Sequence, residues 1–324
     1  MRKFVHFNAR TVEEAVSILK RYGKRASVIA GGTDLLGKMK DEILPAYPEA
    51  IVNLKTIRGL DFVREEPGLL RIGTLTRLED LANHQRVRDR FTALAEAASV
   101  TASPHIREMG TLGGNLCQDI RCWFYRNQSN RFPCLRKGGG RCYAIEGDNR
   151  YHSIFGGSVE GGCYAVHPSD IAPALIALNA NIKTSERTLK AEDFFQVDVG
   201  KTTVLHDDEI VTEIHLPAPA ENTKSAFVKF AIRKTIDFPL VNCAAMITAS
   251  KGRVVAVRIC LNAVYVRPYR AFEAEEALIG ASIDAANVEA SGRLAVSNAK
   301  ALEQNGYKIQ IAKTLVKRAI LACQ

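Results

Sequence analysis

The segments VIAGGTDLL, residues 28–36, and GTLGGN, residues 110–115, each contain a pair of glycines, and they decide how most of the chain is interpreted. The first pair follows an apolar run that predicts a buried strand. Paired glycines after a strand can turn successive backbone N–H groups into one concave surface, which suits a pyrophosphate. Either motif alone is weak, because a strand followed by two glycines is more often only a turn. Together they favour a phosphate-binding site.

Helix and strand signals surround the two glycine motifs. Thr11 and Glu14 form a capping box, which predicts a helix that Gly23 ends. Thr76 and Glu79 predict a second capped helix, which continues towards Asn83. Apolar periodicity predicts strands at 26–30, 51–54 and 69–72 and a helix at 91–99.

The length of 324 residues suggests two domains. The linker-like sequence PAPAENT at 217–223 places their boundary, which divides the chain into 1–218 and 219–324. Beyond the linker, the apolar runs on either side of Ser250-Lys251-Gly252 predict a β-hairpin. Helices are expected at 271–279, 288–304 and 309–321, so the last third is predicted to be α+β.

Several classes of protein are excluded by composition and motifs. No stretch approaches 18 uninterrupted apolar residues and no signal peptide is recognisable, so we expect a cytoplasmic protein that does not bind a membrane. The net charge of +9 is scattered and lacks interleaved aromatics, which favours an anionic ligand or an acidic partner over nucleic acid. There is no G-x-G-x-x-G, and Phe195 stands where a Walker loop needs its first glycine. No acid, base or nucleophile pattern is present, which suggests an electron relay.

Cysteines form the remaining signal. Residues 119–162 show little periodicity, and such a long irregular stretch needs something to hold it together. Cys122, Cys134, Cys142 and Cys163 lie in or beside it, with Cys117 just before. Thiolates suit zinc or an iron–sulfur cluster, but no C-x-x-C pair is present. The spacing leaves iron–sulfur, zinc and free thiols open.

The chain resembles a known family, the FAD-binding medium subunits of molybdenum hydroxylases, which belong with xanthine oxidase. The resemblance runs through VIAGGTDLL, GTLGGNL, HPSDIAPALIAL, TTVLHDDEIVTEIHLP and FVKFAIRKTIDFPLVNCA in that order. It implies an α+β fold in which residues 1–218 form a two-subdomain FAD-binding domain of the vanillyl-alcohol-oxidase type, with subdomains at about 1–57 and 58–218. Residues 219–324 would form a smaller domain of antiparallel sheet and helices, like the carbon monoxide dehydrogenase flavoprotein C-terminal domain.

The resemblance also implies which residues contact FAD, while no catalytic residue is expected in this chain. They are Ile29, Ala30, Gly31, Gly32, Thr33, Asp34, Leu35 and Leu36 in the first motif, Thr111, Leu112, Gly113, Gly114 and Asn115 in the second, and Thr101, Asp170 and Lys229 elsewhere.

The cysteine-rich insert at about 119–163 departs from most of the family. It resembles the flavin subunit of 4-hydroxybenzoyl-CoA reductase and those of certain periplasmic aldehyde oxidoreductases, most closely the former through RCWFYRN, CLRKGG and CYAIEGDNRYH. This implies a [4Fe-4S] cluster on Cys122, Cys134, Cys142 and Cys163.

The implied function is electron transfer within a molybdenum enzyme that removes an aromatic hydroxyl from an acyl-CoA. Ferredoxin would donate electrons to the cluster, and FAD would relay them. A molybdenum-cofactor large subunit and a [2Fe-2S] small subunit would be the partners, in a dimer of heterotrimers. Two alternatives are a flavin subunit of an aldehyde or heterocycle oxidoreductase and a zinc-stapled interaction module without redox chemistry.

Overall fold

Three β-sheets organise the chain in the computed structural model, which describes residues 1–158 and 162–324. Residues 159–161 of the predicted insert lie outside the described part. Mixed helix and sheet was expected, and the α+β fold class is confirmed. Among the described helices, none has both the length and the apolar character that a membrane crossing requires.

The first sheet is parallel and three-stranded, and the helix of the first glycine motif lies in sequence between two of its strands. Its strands are β1 (Val5–Asn8), β2 (Ala26–Ile29) and β3 (Ala50–Asn53), in the order β1-β3-β2. Helices α1 (Val12–Tyr22) and α2 (Leu35–Lys40) belong to the same unit. The predicted cap of α1 is confirmed, because the Thr11 hydroxyl accepts a hydrogen bond of 3.1 Å from the Glu14 N–H.

The second sheet is antiparallel, and helices cover one of its faces. Its order is β4-β5-β8-β6-β7, with β4 (Val63–Glu66), β5 (Leu69–Gly73), β6 (Asn181–Thr184), β7 (Thr188–Lys190) and β8 (Val211–Pro217). The helices between β5 and β6 are α3 (Leu78–Asn83), α4 (Gln85–Arg90), α5 (Thr92–Ser99), α6 (Pro104–Arg107), α7 (Leu112–Leu116) and α8 (Ile171–Ala177). Every residue of α8 is buried, and α5 and α8 fill the core beneath the sheet.

The third sheet forms most of the last third of the chain. It is antiparallel in the order β12-β11-β10-β9, with β9 (Thr223–Phe230), β10 (Val241–Ser250), β11 (Arg253–Asn262) and β12 (Tyr269–Arg270). Lys251 and Gly252 both adopt positive φ, as a tight hairpin turn requires, so the predicted hairpin is confirmed. Helices α9 (Phe272–Leu278), α10 (Ala285–Leu294) and α11 (Tyr307–Leu321) pack against this sheet.

Two helix predictions were wrong in detail. Thr76 does not cap α3; its hydroxyl donates to the Phe62 carbonyl at 3.1 Å, and Arg77 occupies the cap position without a side-chain hydrogen bond. The helix expected at 288–304 begins earlier, at Ala285, and ends at Leu294.

The cysteine segment, residues 117–166, connects α7 to α8. Its described part is irregular, as predicted, with short 3₁₀ turns at Gln128–Asn130 and Leu135–Lys137. Residues 152 and 153 of this segment are held by hydrogen bonds from residues near the start of α11. Asn305 donates to the Ser153 carbonyl at 3.0 Å, and the buried Lys308 ammonium donates to the carbonyls of His152 at 2.9 Å and Ala263 at 2.6 Å. Burial lowers the pKa of Lys308 to about 7.

Candidate functional site

The two glycine motifs face each other across a cleft of about 510 Å³. The first loop follows β2 and the second leads into α7. Their backbones touch: a Cβ added to Gly31 would lie 1.9 Å from the Met109 carbonyl oxygen. A Cβ on Gly113 would lie 1.8 Å from Thr74 Oγ1. Gly31 is therefore needed for the two loops to approach, and Gly113 for the second loop to pack against Thr74, which follows β5.

The first loop offers free hydrogen-bond donors to the cleft. Within the described part of the chain, the N–H groups of Gly31, Gly32 and Thr33 find no protein acceptor. In the second loop the corresponding donors already have protein acceptors: the Gly113 N–H donates to the Thr74 carbonyl at 2.9 Å, and the Gly114 N–H donates to Thr111 Oγ1 at 3.2 Å. The first loop can therefore bind anionic oxygens, while the second forms a closely packed wall.

Most of the residues implied as flavin contacts line this cleft. They are Ile29, Ala30, Gly31, Gly32, Thr33, Asp34, Leu35, Thr101, Thr111, Gly113, Gly114 and Asn115. The others lie elsewhere. Leu36 is exposed beside the first loop, and Leu112 is fully buried in the core.

Asp170 and Lys229 form a buried ion pair behind the cleft. Lys229 Nζ lies 2.7 Å from Asp170 Oδ2, and Asn242 donates to the other carboxylate oxygen at 2.7 Å. Lys229 also donates to the Val100 carbonyl at 3.0 Å, beside Thr101. Burial raises the pKa of Asp170, against the effect of the nearby ammonium. The pair fixes β9 to the start of α8 and so supports the cleft wall.

The cleft also contains residues that motif matching did not find. Lys38, Arg121, Ile236 and Phe238 line it, and the Arg121 guanidinium lies 4.0 Å from the centre of the Phe238 ring. Burial and the neighbouring Arg126 charge lower the pKa of Arg121 to about 10, so it stays cationic at neutral pH. The basic character of the cysteine segment was visible in the sequence, but no signal indicated which arginine reaches the cleft.

A buried charge network joins the first glycine loop to the cysteine segment. Asp34 Oδ1 accepts from Arg126 at 2.6 Å and from Arg121 at 3.1 Å, and Asp34 Oδ2 accepts from the Asp119 N–H at 3.0 Å. Lys38 in turn pairs with Asp119 at 3.2 Å. Burial opposes the charge of Asp34, but Arg126 and Lys38 hold the pKa of Asp34 below its usual range. The network fixes the position of Asp34 at the start of α2.

Cys142 lies close enough to three other thiols of the insert to affect their pKa values. Burial raises the pKa of Cys122 to about 12, and Cys163 and Cys142 add to that shift. Burial also raises the pKa of Cys134 and of Cys163, again with a contribution from Cys142. Cys117 lines the flavin cleft instead, and burial of its thiol raises the pKa of Cys117 to about 12.

Two of these thiols have polar neighbours within hydrogen-bond distance. The Ala165 N–H donates to Cys163 Sγ at 3.5 Å, and His152 Nε2 lies 3.2 Å from Cys122 Sγ. Lys137 Nζ is buried without a hydrogen-bond partner among the described residues, near Cys134 and Cys122. Such an unpaired buried ammonium favours a negatively charged group beside it.

The geometry of the thiols does not match a single zinc ion. Among the described residues, no three cysteine sulfurs lie within 4.8 Å of one another. The three potential metal ligands that do lie this close are Glu186, His206 and Glu209. Tetrahedral zinc holds its thiolates at about 2.3 Å and therefore close together.

Comparison with known families matches nearly the whole chain. The family described as the FAD binding domain in molybdopterin dehydrogenase matches residues 2–219. The CO dehydrogenase flavoprotein C-terminal domain matches residues 226–323.

Individual relatives match along their full length. The aldehyde oxidoreductase FAD-binding subunit PaoB of Escherichia coli (strain K12) is 33% identical, over 97% of this chain and 96% of its own. The carbon monoxide dehydrogenase medium chain of Hydrogenophaga pseudoflava is 28% identical, over 99% of this chain and 96% of its own. The solved structure of carbon monoxide dehydrogenase from H. pseudoflava, in a form lacking the Mo-pyranopterin moiety, gives a TM-score of 0.78 at 28% identity and covers 99% of this chain and 97% of that chain.

Proposed function

Because this chain belongs to the FAD-binding medium subunits of the molybdenum hydroxylase family, we propose that it is the flavin subunit of an aldehyde oxidoreductase-type molybdenum enzyme. Likeness over 97% of the chain to an aldehyde oxidoreductase FAD-binding subunit supports this substrate class. The observation that carries a flavin role is the cleft between the glycine loops, with the free N–H groups of Gly31, Gly32 and Thr33.

The residues of the cleft fit FAD. The three free N–H groups would hold the pyrophosphate, and the apolar side chains of Ile29, Leu75 and Ile236 would exclude water from the ring system. FAD, when bound, exchanges electrons singly or in pairs. The chain's own part would be to bind and orient it, through the N–H groups of the first loop and the apolar lining.

We also propose that Cys122, Cys134, Cys142 and Cys163 hold a [4Fe-4S] cluster. The effect of Cys142 on the pKa values of the other three thiols, the position of Cys117 in the flavin cleft, and the buried Lys137 Nζ, which has no hydrogen-bond partner among the described residues, support this set. Such a cluster, when bound, passes electrons one at a time. Backbone N–H groups and Lys137 would offset its negative charge.

Partner subunits are part of the proposal. A flavin subunit without its own substrate site needs a molybdenum-cofactor large subunit and a [2Fe-2S] small subunit, in a dimer of heterotrimers. Ile232 and Ile236, near the cleft, are more than half exposed, as is Trp123 in the cysteine segment. Exposed apolar side chains of this kind are consistent with subunit contacts. A cytoplasmic location stays a prediction from the sequence.

A second candidate is the flavin subunit of a 4-hydroxybenzoyl-CoA reductase-like enzyme, with ferredoxin as the electron donor. The motifs RCWFYRN and CYAIEGDNRYH within the cysteine segment favour it. The two candidates share the flavin and cluster sites and differ in the substrate of the large subunit and in the direction of electron flow.

Two experiments test these assignments. Iron, acid-labile sulfide, zinc and FAD are measured in the anaerobically purified chain, in Cys142→Ser and, as the matched control, in Cys117→Ser. We expect four irons and four sulfides per FAD in the wild type and in Cys117→Ser, and loss of iron in Cys142→Ser. Zinc without sulfide, or iron lost only from Cys117→Ser, would overturn the cluster assignment.

The second experiment uses the purified complex. An aldehyde oxidoreductase should reduce benzyl viologen with an aromatic aldehyde. Dehydroxylation of 4-hydroxybenzoyl-CoA by reduced ferredoxin, with no aldehyde activity, would replace the first candidate by the second.

A further inference from the structure

Arg121 connects the cysteine segment to the flavin cleft. Its backbone forms a bridge with Val166, in which the Arg121 N–H donates to the Val166 carbonyl at 3.0 Å. Its side chain lines the cleft, with the guanidinium 4.0 Å from the centre of the Phe238 ring and 28% of the side chain exposed. The guanidinium is therefore held in place rather than free in solvent.

The same guanidinium has an N–H donor without a partner among the described residues. One amino group donates to Asp34 at 3.1 Å, but Nε is buried and finds no acceptor among the described residues. An arginine has five N–H donors, and leaving a buried donor unpaired costs about 1–3 kcal/mol. An acceptor on a bound ligand would remove that cost.

We propose that Arg121 binds an anionic part of FAD, so that the cysteine segment itself supplies a cation to the flavin site. This rests on the proposed flavin function. The anionic part is either the pyrophosphate or the N1–C2=O edge of the isoalloxazine, which becomes negative on reduction. Because Cys122 follows Arg121 directly, the flavin site and the cysteine site would share one stretch of backbone.

A purely structural role for Arg121 makes a different prediction. Arg126 binds the same Asp34 oxygen more closely, at 2.6 Å, yet it does not line the cleft. If Arg121 served only to fix Asp34, loss of Arg126 should be at least as harmful to FAD binding. Arg126→Gln is therefore the comparator, and Arg131→Gln, an exposed arginine of the same segment, is the control for net charge.

The test measures FAD affinity of the FAD-depleted full-length chain at several salt concentrations. Removing one charge-assisted contact should weaken binding roughly ten- to hundred-fold in Arg121→Gln and make it less sensitive to salt. Arg121→Lys, which keeps the charge, should recover part of the affinity, and Arg131→Gln should stay within about twofold of the wild type. Arg126→Gln should keep the wild-type salt dependence.

Two further readouts locate the contact. If Arg121 binds the pyrophosphate, Arg121→Gln weakens ADP binding as well. If it faces the ring, ADP binding is unchanged and the flavin midpoint potential falls, because the reduced anion loses its cation. Arg121→Gln with wild-type affinity and potential, or with defects equal to those of Arg126→Gln in every readout, would overturn the proposal. If neither the wild type nor Arg131→Gln bound FAD, the flavin function itself would fail.

Discussion

The contact between Gly31 and Met109 gives the sharpest test of how the flavin cleft is built. Gly31 does not adopt positive φ, so alanine can adopt its backbone conformation, and we expect the effect of Gly31→Ala to be steric. The added Cβ would lie 1.9 Å from the Met109 carbonyl oxygen, which is 1.1 Å less than the 3.0 Å that real Cβ contacts respect. Because the obstacle is backbone, no side-chain rotation relieves it.

The two glycine loops must therefore move apart by about the missing distance. Overpacking of this kind costs about 1–3 kcal/mol. A shift of about 1 Å would also lengthen a typical hydrogen bond of about 2.9 Å beyond effective range for a ligand held by both loops. We expect FAD affinity to fall roughly ten- to hundred-fold or more, since each factor of ten corresponds to about 1.4 kcal/mol.

Gly37→Ala is the matched control in the neighbouring helix α2. No atom lies within 4 Å of its added Cβ, and its φ is not positive. Alanine is favoured over glycine in a helix by about 1 kcal/mol, so Gly37→Ala should raise the melting temperature slightly and leave FAD binding unchanged. Titration of the FAD-depleted chain, followed by flavin fluorescence, measures both variants. Affinity of Gly31→Ala within about twofold of the wild type, or an equal defect in Gly37→Ala, would refute the reasoning.

Two further predictions concern buried charges. Asp170→Asn leaves the Lys229 ammonium buried without its counter-ion, so the free energy of unfolding of the FAD-free chain, measured in urea, should fall by about 3–5 kcal/mol. The exposed ion pair of Arg77 and Asp80 provides the control, because Asp80→Asn should lower the free energy of unfolding by less than about 1 kcal/mol. A small loss in Asp170→Asn would contradict this prediction. Glu213 is mostly buried, which raises its pKa, but hydrogen bonds from His215, Arg71 and Lys183 lower the pKa to about 2 from an ordinary 4.5. Its carboxylate therefore stabilises the fold above pH 4.5, and this contribution is lost as the pH falls towards 2. Glu213→Gln should lower the unfolding free energy at pH 7, and the difference from the wild type should shrink as the pH approaches 2; a difference independent of pH would count against this origin.

Local signals in the sequence predicted local structure well. Helix α1 was predicted because Thr11, Glu14 and Gly23 mark both of its ends within a few residues. The hairpin of β10 and β11 was predicted because Lys251 and Gly252 suit its turn. The cap at Thr76 failed because its hydroxyl has a competing partner, the Phe62 carbonyl, which lies 14 residues away in sequence. Sequence periodicity does not reveal such a partner.

The same limit applies to the site. The glycine loops could be predicted because each is a short motif. The contact between Arg121 and Phe238 joins residues from different domains, and nothing near either one in sequence indicates it. The spacing of the cysteines could not decide between an iron–sulfur cluster, zinc and free thiols. The cysteines lie on an irregular segment, and the path of this segment depends on distant contacts such as that of Lys308 with His152.

The hydrogen bonds from Asn305 and Lys308 to residues 151–153 have a consequence for the order of biosynthesis. These donors follow the carbonyls they bind by more than 150 residues, so the ribosome makes them well after the cysteine segment. Until then the cysteine segment, which is translated much earlier, lacks the hydrogen bonds that hold residues 152 and 153 in place. If the proposed cluster forms on the finished geometry, it would therefore form only after Asn305 and Lys308 have been made, and a chain truncated before Asn305 would present the cysteines without these hydrogen bonds.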